Sequence, residues 1–369
     1  MKLYSHQQRF IDENPDRALL CWGCGTGKTL AAVVWMKLRP TISFVVVCPK
    51  QILKMWESVA PANAVVVTKE QYKKYTAPYS GIVVDEADHG FGSALFTKGR
   101  SAMATTLYTW IRTHDTSPVL LLTATPIRNA PHTSHTLLTY LQKAVDWKSY
   151  RTAQYNLVHM PYNPRPFYQP KKGWQKFSAE MITRNSSVAD LSDIADVPVQ
   201  YDEKVSVNGD WFVAGTRIEL PWHDKARAES GTTKLNWIKE YAKDKRKVVI
   251  VSRYLDTIMK WGPLLSKERE TFVVTGGTKD QEAVIMAARD SFECYLLVQS
   301  SLGSGFELPE FDFMIFASLS FSVRDLTQMK GRILRLNRLK SNWYTYLIGG
   351  KCDESVYRRT VIEGQDFVI

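Results

Sequence analysis

Residues 22–29 read Trp-Gly-Cys-Gly-Thr-Gly-Lys-Thr. They follow a short apolar run, Arg17–Trp22, and lead into residues 29–38, whose apolar density is that of a helix. A strand, a glycine-rich turn and a helix opening on Lys-Thr make the frame of a phosphate-binding loop. Glycines let the backbone come close to phosphate oxygens. Successive N–H groups at Gly23, Gly25, Thr26 and Gly27 form a concave anion site, aided by the helix N-terminus. Lys28 is placed to reach the β- and γ-phosphates, and the Thr29 hydroxyl to ligate magnesium. Trp22 stands where the strict Gly-x-x-x-x-Gly-Lys pattern has its first glycine.

Sixty residues on, Ile82-Val-Val-Asp-Glu-Ala-Asp88 is an apolar strand ending in adjacent carboxylates. Asp85 is the expected magnesium ligand, through water. Glu86 is expected to orient the attacking water and accept its proton. The plainer reading, an ion pair at a strand end, loses weight beside the phosphate loop. Asp88 and His89 follow without an assigned role. Thr123-Ala-Thr-Pro126 ends another apolar strand, and its hydroxyls are candidates for coupling the carboxylate loop to domain movement. ATP and Mg2+ are the expected cofactors.

Around these motifs, strands are expected at residues 42–48, 64–68, 81–85 and 119–123, with helical stretches between several of them. A second strand-and-helix series follows. Its strands are expected at 248–252, 270–275, 295–299 and 313–317, and its helices at 235–243, 280–290 and 323–336. Alternation of this kind predicts an α/β fold with mostly parallel sheets flanked by helices. Two domains are expected, 1–210 and 211–369, with the break somewhere in 195–230. Residues 147–177 stand apart: Trp147, Tyr150, Tyr155, Tyr162, Phe167, Tyr168, Trp174 and Phe177 are interleaved with Lys, Arg and four prolines. Such a segment can stack on single-stranded bases. Packing of the aromatics as anchors of an irregular segment onto the first domain is the favoured alternative.

The net charge of +11 over 369 residues favours a polyanionic partner. Nothing approaches the roughly 18 apolar residues of a membrane helix. The N-terminus lacks the apolar stretch of a signal peptide. The expected location is therefore intracellular, cytoplasmic with the nucleus not excluded. Five cysteines at scattered positions do not make a disulfide framework. Cys21 and Cys24 are formally a Cys-x-x-Cys pair, but no second Cys/His pair has zinc spacing, so packing of Cys21 at a strand end is preferred.

The motif series resembles the superfamily 2 helicases and translocases, with two RecA-like domains and ATP in the cleft between them. Leu3-Tyr-Ser-His-Gln-Gln8 resembles the family's leading glutamine segment, which makes Gln7 the candidate adenine reader and Gln8 the fallback. Val47–Lys50 with Leu53–Trp56 resembles motif Ia, Val67–Gln71 motif Ib and Thr123–Pro126 motif III. In the second half, Val249–Ser252 resembles motif IV. Gly303–Leu308 resembles motif V, which brings Gly305 and Glu307 toward the nucleotide. Gln328-Met-Lys-Gly-Arg-Ile-Leu-Arg335 resembles motif VI, in which Gln328, Arg332 and Arg335 are implied to act catalytically. Arg332 and Arg335 are three apart, which on a helix puts them on one face. An exposed basic helix face is the alternative, and Arg338 and Lys340 suit it.

The Asp-Glu-Ala-Asp spelling invites a comparison with DEAD-box RNA helicases. That family carries Ser-Ala-Thr and His-Arg-x-Gly-Arg-x-x-Arg, whereas this chain has Thr-Ala-Thr-Pro and Gln-x-x-Gly-Arg-x-x-Arg. The phrases at 48–56, 123–129, 181–184 and 230–235 are more similar to the Swi/Snf-type duplex DNA translocases, in a minimal form of the kind a phage could encode. The resemblance implies an ATP-dependent DNA translocase or helicase that contacts the phosphate backbone of duplex, forked or branched DNA. The alternatives are an RNA helicase, the motor subunit of a nuclease or restriction complex, and an ATP-gated nucleic-acid binding module that does not translocate.

Overall fold

The protein's structure, a computed structural model, describes residues 3–96, 101–127, 130–160, 163–194, 197–207, 231–302, 306–334 and 340–364. The chain forms two compact units, residues 1–194 and 195–365.

In the first unit the strands are β1 (Arg17–Trp22), β2 (Phe44–Cys48), β3 (Ala64–Thr68), β4 (Gly81–Asp85), β5 (Val119–Thr123), β6 (Tyr155–Met160), β7 (Asn163–Pro170) and β8 (Ser187–Ala189). Six of them form one sheet in the order β3-β2-β4-β5-β1-β8, parallel throughout. The central strands are buried along their whole length, which is why they read as continuous apolar runs rather than alternating ones. Helices cover both faces. One core holds Trp22, Trp35, Phe44 and Trp56; the other holds Val45, Ile82, Phe91 and Leu121.

The expected strands and helices of this unit are present within a few residues. β8 is an addition: three residues that pair with the end of β1. The segment expected to be irregular is instead regular. It is a helix, Trp147–Gln154, an antiparallel ribbon of β6 and β7, and a second helix, Trp174–Asn185. Proline argues against strand in a central position, but a two-stranded ribbon has free edges that tolerate it.

The second unit contains β9 (Gln200–Ser206), β10 (Lys247–Ser252), β11 (Glu270–Val274), β12 (Cys294–Gln299), β13 (Phe313–Phe316) and β14 (Asn342–Ile348). Their order is β11-β12-β10-β13-β14-β9, again parallel. β9 lies on the N-terminal side of the expected 210/211 boundary yet pairs along its length with β14. The expected 210/211 position itself lies outside the described residues, whereas the two compact units divide at 194/195. The helix expected at 323–336 is shorter: it runs Val323–Ile333, and Leu334 is extended.

Candidate nucleotide site and helicase elements

The phosphate-binding loop leaves the end of β1 and enters the Lys28–Lys37 helix. Gly25 and Gly27 take left-handed backbone, φ 80° and 82°, which glycine adopts without penalty. The Lys28 ammonium donates to the carbonyls of Trp22 at 2.7 Å and Gly23 at 2.9 Å. The Thr26 hydroxyl donates to the Gly23 carbonyl at 2.8 Å. Thr29 sits in the first turn of the helix.

Gln7 lies against this loop and is fully buried. Its amide nitrogen donates to the carbonyls of Thr26 and Gly27, each at 3.2 Å, and its Oε1 accepts from the Tyr4 N–H at 2.9 Å. A Cβ on Gly27 would run into the Gln7 amide, so this close approach relies on the glycine. The His6 ring adds a contact to the Thr26 carbonyl at 3.0 Å. Gln8, by contrast, is exposed and bonds Asp12.

β5 lies between β1 and β4, so the ends of β1 and β4 are separated by two strand spacings, about 10 Å. Parallel strands bring Trp22, Asp85 and Thr123 to the same edge of the sheet. Asp85 is buried. Its two oxygens accept from the Trp56 indole N–H at 2.9 Å and the Glu86 N–H at 2.8 Å. Burial pushes the Asp85 carboxyl above the usual carboxylate range, and the Glu86 charge adds to that. The Trp56 N–H and the Lys28 charge oppose it.

Glu86 itself has φ 52°, left-handed for a residue with a Cβ. Such a conformation costs on the order of 1–2 kcal/mol and needs support. Lys69 supplies it. This lysine, only 3% exposed, donates to the Glu86 carbonyl at 2.8 Å and the His89 carbonyl at 2.9 Å. Asp88 is buried and joins the two threonines of β5 and its following turn. It accepts from the Thr123 hydroxyl at 2.8 Å and the Thr125 hydroxyl at 3.4 Å, and the Thr125 N–H donates to the Thr123 hydroxyl at 3.0 Å. The carboxylate loop and the Thr-Ala-Thr-Pro turn are therefore physically linked through Asp88.

Sequence reasoning left Asp88 without a role, read Trp56 only as part of a motif and did not single out Lys69. Asp88 had a signal in its spacing from Asp85. A lysine directly after a strand, in contrast, looks like any solvated cation. Cys21 is buried, and burial raises its thiol to about 12, which leaves it inert as the packing reading expects.

In the second unit Gln328 is 3% exposed. Arg332, in the last turn of its helix, donates from Nη1 to the Phe306 carbonyl at 2.8 Å, and the Leu308 N–H donates to the Arg332 carbonyl at 2.9 Å. These bonds tie the motif V and motif VI segments together. Glu307 is exposed between buried Phe306 and Leu308. Gly305 and Arg335 lie outside the described residues. Because the helix ends at Ile333, it does not carry the Arg332–Arg335 spacing as one face.

Residues 233–337 match the helicase conserved C-terminal domain. The second unit carries a helicase C-terminal domain. Among solved structures, the helicase domain of Hef from Pyrococcus furiosus is similar over 96% of this chain and 97% of that one, at 14% identity and TM-score 0.54. The DNA-bound, ATP-dependent type ISP restriction-modification enzyme LlaBIII is similar over all of this chain and 30% of that one, at 13% identity and TM-score 0.57. These two likenesses show the fold, a pair of RecA-like helicase domains. The SWI2/SNF2 ATPase core from Sulfolobus solfataricus, in complex with dsDNA, matches over 100% and 92% of the two chains at 16% identity and TM-score 0.42. No curated protein matches the chain. No helix among the described residues is long and apolar enough to cross a membrane.

Proposed function

We propose that this helicase is an ATP-driven DNA translocase of the Swi/Snf-like branch that remodels forked or branched DNA. The observation that carries the ATPase part is the convergence of Lys28, Asp85 and Glu86 on one edge of the first sheet, with the Lys28 charge acting on the buried Asp85 carboxyl. The residues present fit a magnesium nucleoside triphosphate. The loop offers the backbone N–H groups of Gly25, Thr26 and Gly27, and among the described residues Lys28 is bonded to two carbonyls that a phosphate can replace. Asp85 is a buried carboxylate held by neutral donors.

In this reading the N–H groups of Gly25, Thr26 and Gly27 hold the phosphates, with Lys28 on their charge; the Gly23 N–H, expected to join them, instead donates to the Ala189 carbonyl at 2.8 Å. Thr29, and Asp85 through water, would hold magnesium, which would supply neutralisation of charge on the phosphoryl oxygens. Glu86 orients the attacking water and takes its proton. Gln7, expected to read adenine, has both ends of its amide engaged on the loop and Tyr4 instead; it shapes the phosphate site and acts on nucleotide through it. Gln328, Arg332 and Arg335 serve the transferring phosphoryl group. Arginine suits this because it stays charged and donates in a planar fork. Glu307 and Gly305 complete the nucleotide set. Asp88, bridging the carboxylate loop to Thr123 and Thr125, is the element through which a change at Glu86 reaches the next loop.

Tracking on phosphates makes the motor sequence-independent. The +11 charge supports that kind of partner, as does the DNA in the structure of LlaBIII. A motor pulling one duplex arm exchanges paired strands at nearly balanced energy, which suits forks and four-way junctions in recombination, repair or replication. A gel assay with labelled strands tests this. The expected result is ATP-dependent conversion of forks and junctions with weak separation of a plain tailed duplex. Efficient separation of the tailed duplex with no action on forks or junctions would overturn it.

A further inference from the structure

The ribbon of β6 and β7 belongs to neither six-stranded sheet. An isolated two-stranded ribbon is marginal in water and needs anchoring. The anchors are evident. Tyr150 is buried and its hydroxyl donates to the Pro131 carbonyl at 2.6 Å. Trp147 packs edge-on to His135 at 5.1 Å, and Tyr155 accepts from the His132 N–H at 3.2 Å. Trp174 is buried as well. These rings obey the packing reading of the segment.

The others do not. Leu157 is 50% exposed, Phe167 43%, Tyr168 45% and Phe177 40%. Leu157 pairs directly with Tyr168, so the two share a face, and the Arg151 guanidinium lies 4.7 Å from the Tyr168 ring centre. Phe167, paired with Val158, stands on the opposite face. Single exposed apolar residues are ordinary, but this ribbon exposes a ring on each of its two faces, Tyr168 beside Leu157 on one and Phe167 on the other. The surrounding charge is one-sided. Residues 147–179 hold six Lys and Arg and no Asp or Glu, more than half of the chain's net +11.

We propose that this ribbon binds unpaired nucleotides: Phe167 and Tyr168, one from each face, stack on bases while Arg151 and the lysines at 172 and 176 hold the backbone. Charge complementarity selects a polyanion, and exposed rings select one whose bases are free to stack. A duplex keeps its base faces covered. Strand addition by a protein partner is disfavoured by prolines 164, 166 and 170, each of which removes an N–H donor from β7. The inference rests on the nucleic-acid reading above and gives it a substrate feature. Forked and branched DNA present unpaired bases, and this surface holds them beside the motor.

The test measures binding of two labelled oligonucleotides without ATP, oligo-dT and an abasic strand of the same length, which has the phosphates but no bases. A duplex serves as control. The wild-type chain is expected to prefer oligo-dT over the abasic strand. In F167A/Y168A that preference disappears, with a loss of about tenfold per ring, while duplex affinity stays within about twofold. Tyr168→Leu, which keeps the apolar bulk but not the ring, shows the same loss in a smaller degree and covers the case in which the double variant does not fold. Equal wild-type binding to oligo-dT and the abasic strand would overturn the proposal. So would a variant that keeps the preference, or one that loses duplex binding to the same extent. Failure of the translocase reading is a separate result: absence of DNA-stimulated ATP hydrolysis in the wild-type chain, which these measurements do not touch.

Discussion

Asp85 in the first unit and Asp353 in the second are both buried carboxylates, and they are held in opposite ways. Asp353 is paired with Lys234 at 2.6 Å, both side chains being under 5% exposed, and also accepts from the Gly349 N–H at 3.0 Å. Lys234 donates in addition to the Ala317 carbonyl at 2.7 Å. Asp85 has only neutral donors, the Trp56 indole and the Glu86 N–H, and among the described residues it forms no ion pair. Removing an anion from water costs several kcal/mol unless a cation or strong donors replace the hydration. The second unit meets that cost from within. The first leaves it partly unmet, so burial pushes Asp85 upward. The second unit's arrangement makes architecture; the first unit's leaves a carboxylate that, in the proposed reading, takes a cation arriving with a ligand.

The contrast can be broken at either end. The largest effect is expected from Lys28→Ala, which removes the one side-chain cation of the phosphate loop. ATP turnover falls to background while the melting curve is kept; a folded variant with wild-type turnover contradicts the site. Glu86→Gln keeps the shape of the loop but cannot accept a proton. Turnover drops about 10²–10⁴-fold with nucleotide affinity nearly unchanged, as single-turnover and equilibrium binding measurements would show. Collapse of affinity instead would give Glu86 another task.

Lys234→Ala leaves Asp353 buried without its partner and should cost about 3–5 kcal/mol of stability, read by denaturant unfolding of the second unit. Asp85→Asn should change stability by less than about 1 kcal/mol, since it loses the charge cost but mismatches one donor, even though it removes ATPase activity. Its pH dependence carries a sign. A carboxyl raised in the folded state binds more protons there than in the unfolded state, so wild-type stability falls as pH rises from the ordinary carboxylate range through the raised value. Measured without nucleotide or magnesium, that fall should vanish in Asp85→Asn. An equally large loss of stability in Asp85→Asn and Lys234→Ala would erase the contrast.

Much of this was legible because the central strands are buried on both sides. Val83, Val84 and Leu120–Leu122 leave no alternative reading, and the loop and carboxylates follow from where those strands end. β9 was not legible. Gln-Tyr-Asp-Glu-Lys-Val-Ser is mostly exposed and polar, and only its pairing with β14 makes it a strand. The ribbon was hidden by its prolines. The motif VI helix was overextended because Leu334 continues its apolar pattern, although its backbone is already extended. The hold of Lys69 on the Glu86 loop lies in a single side-chain reach that no periodicity encodes.

Movement along DNA is the central claim, and displacement of a third strand tests it most directly. A triplex-forming oligonucleotide is bound at one end of a duplex, and its release is followed in time with ATP, without ATP and with Glu86→Gln. Release that needs ATP, is absent in the variant and shows a lag growing with the length of duplex ahead of the triplex is the predicted result. ATP hydrolysis stimulated by the same duplex with no release, or with a lag independent of length, would contradict translocation.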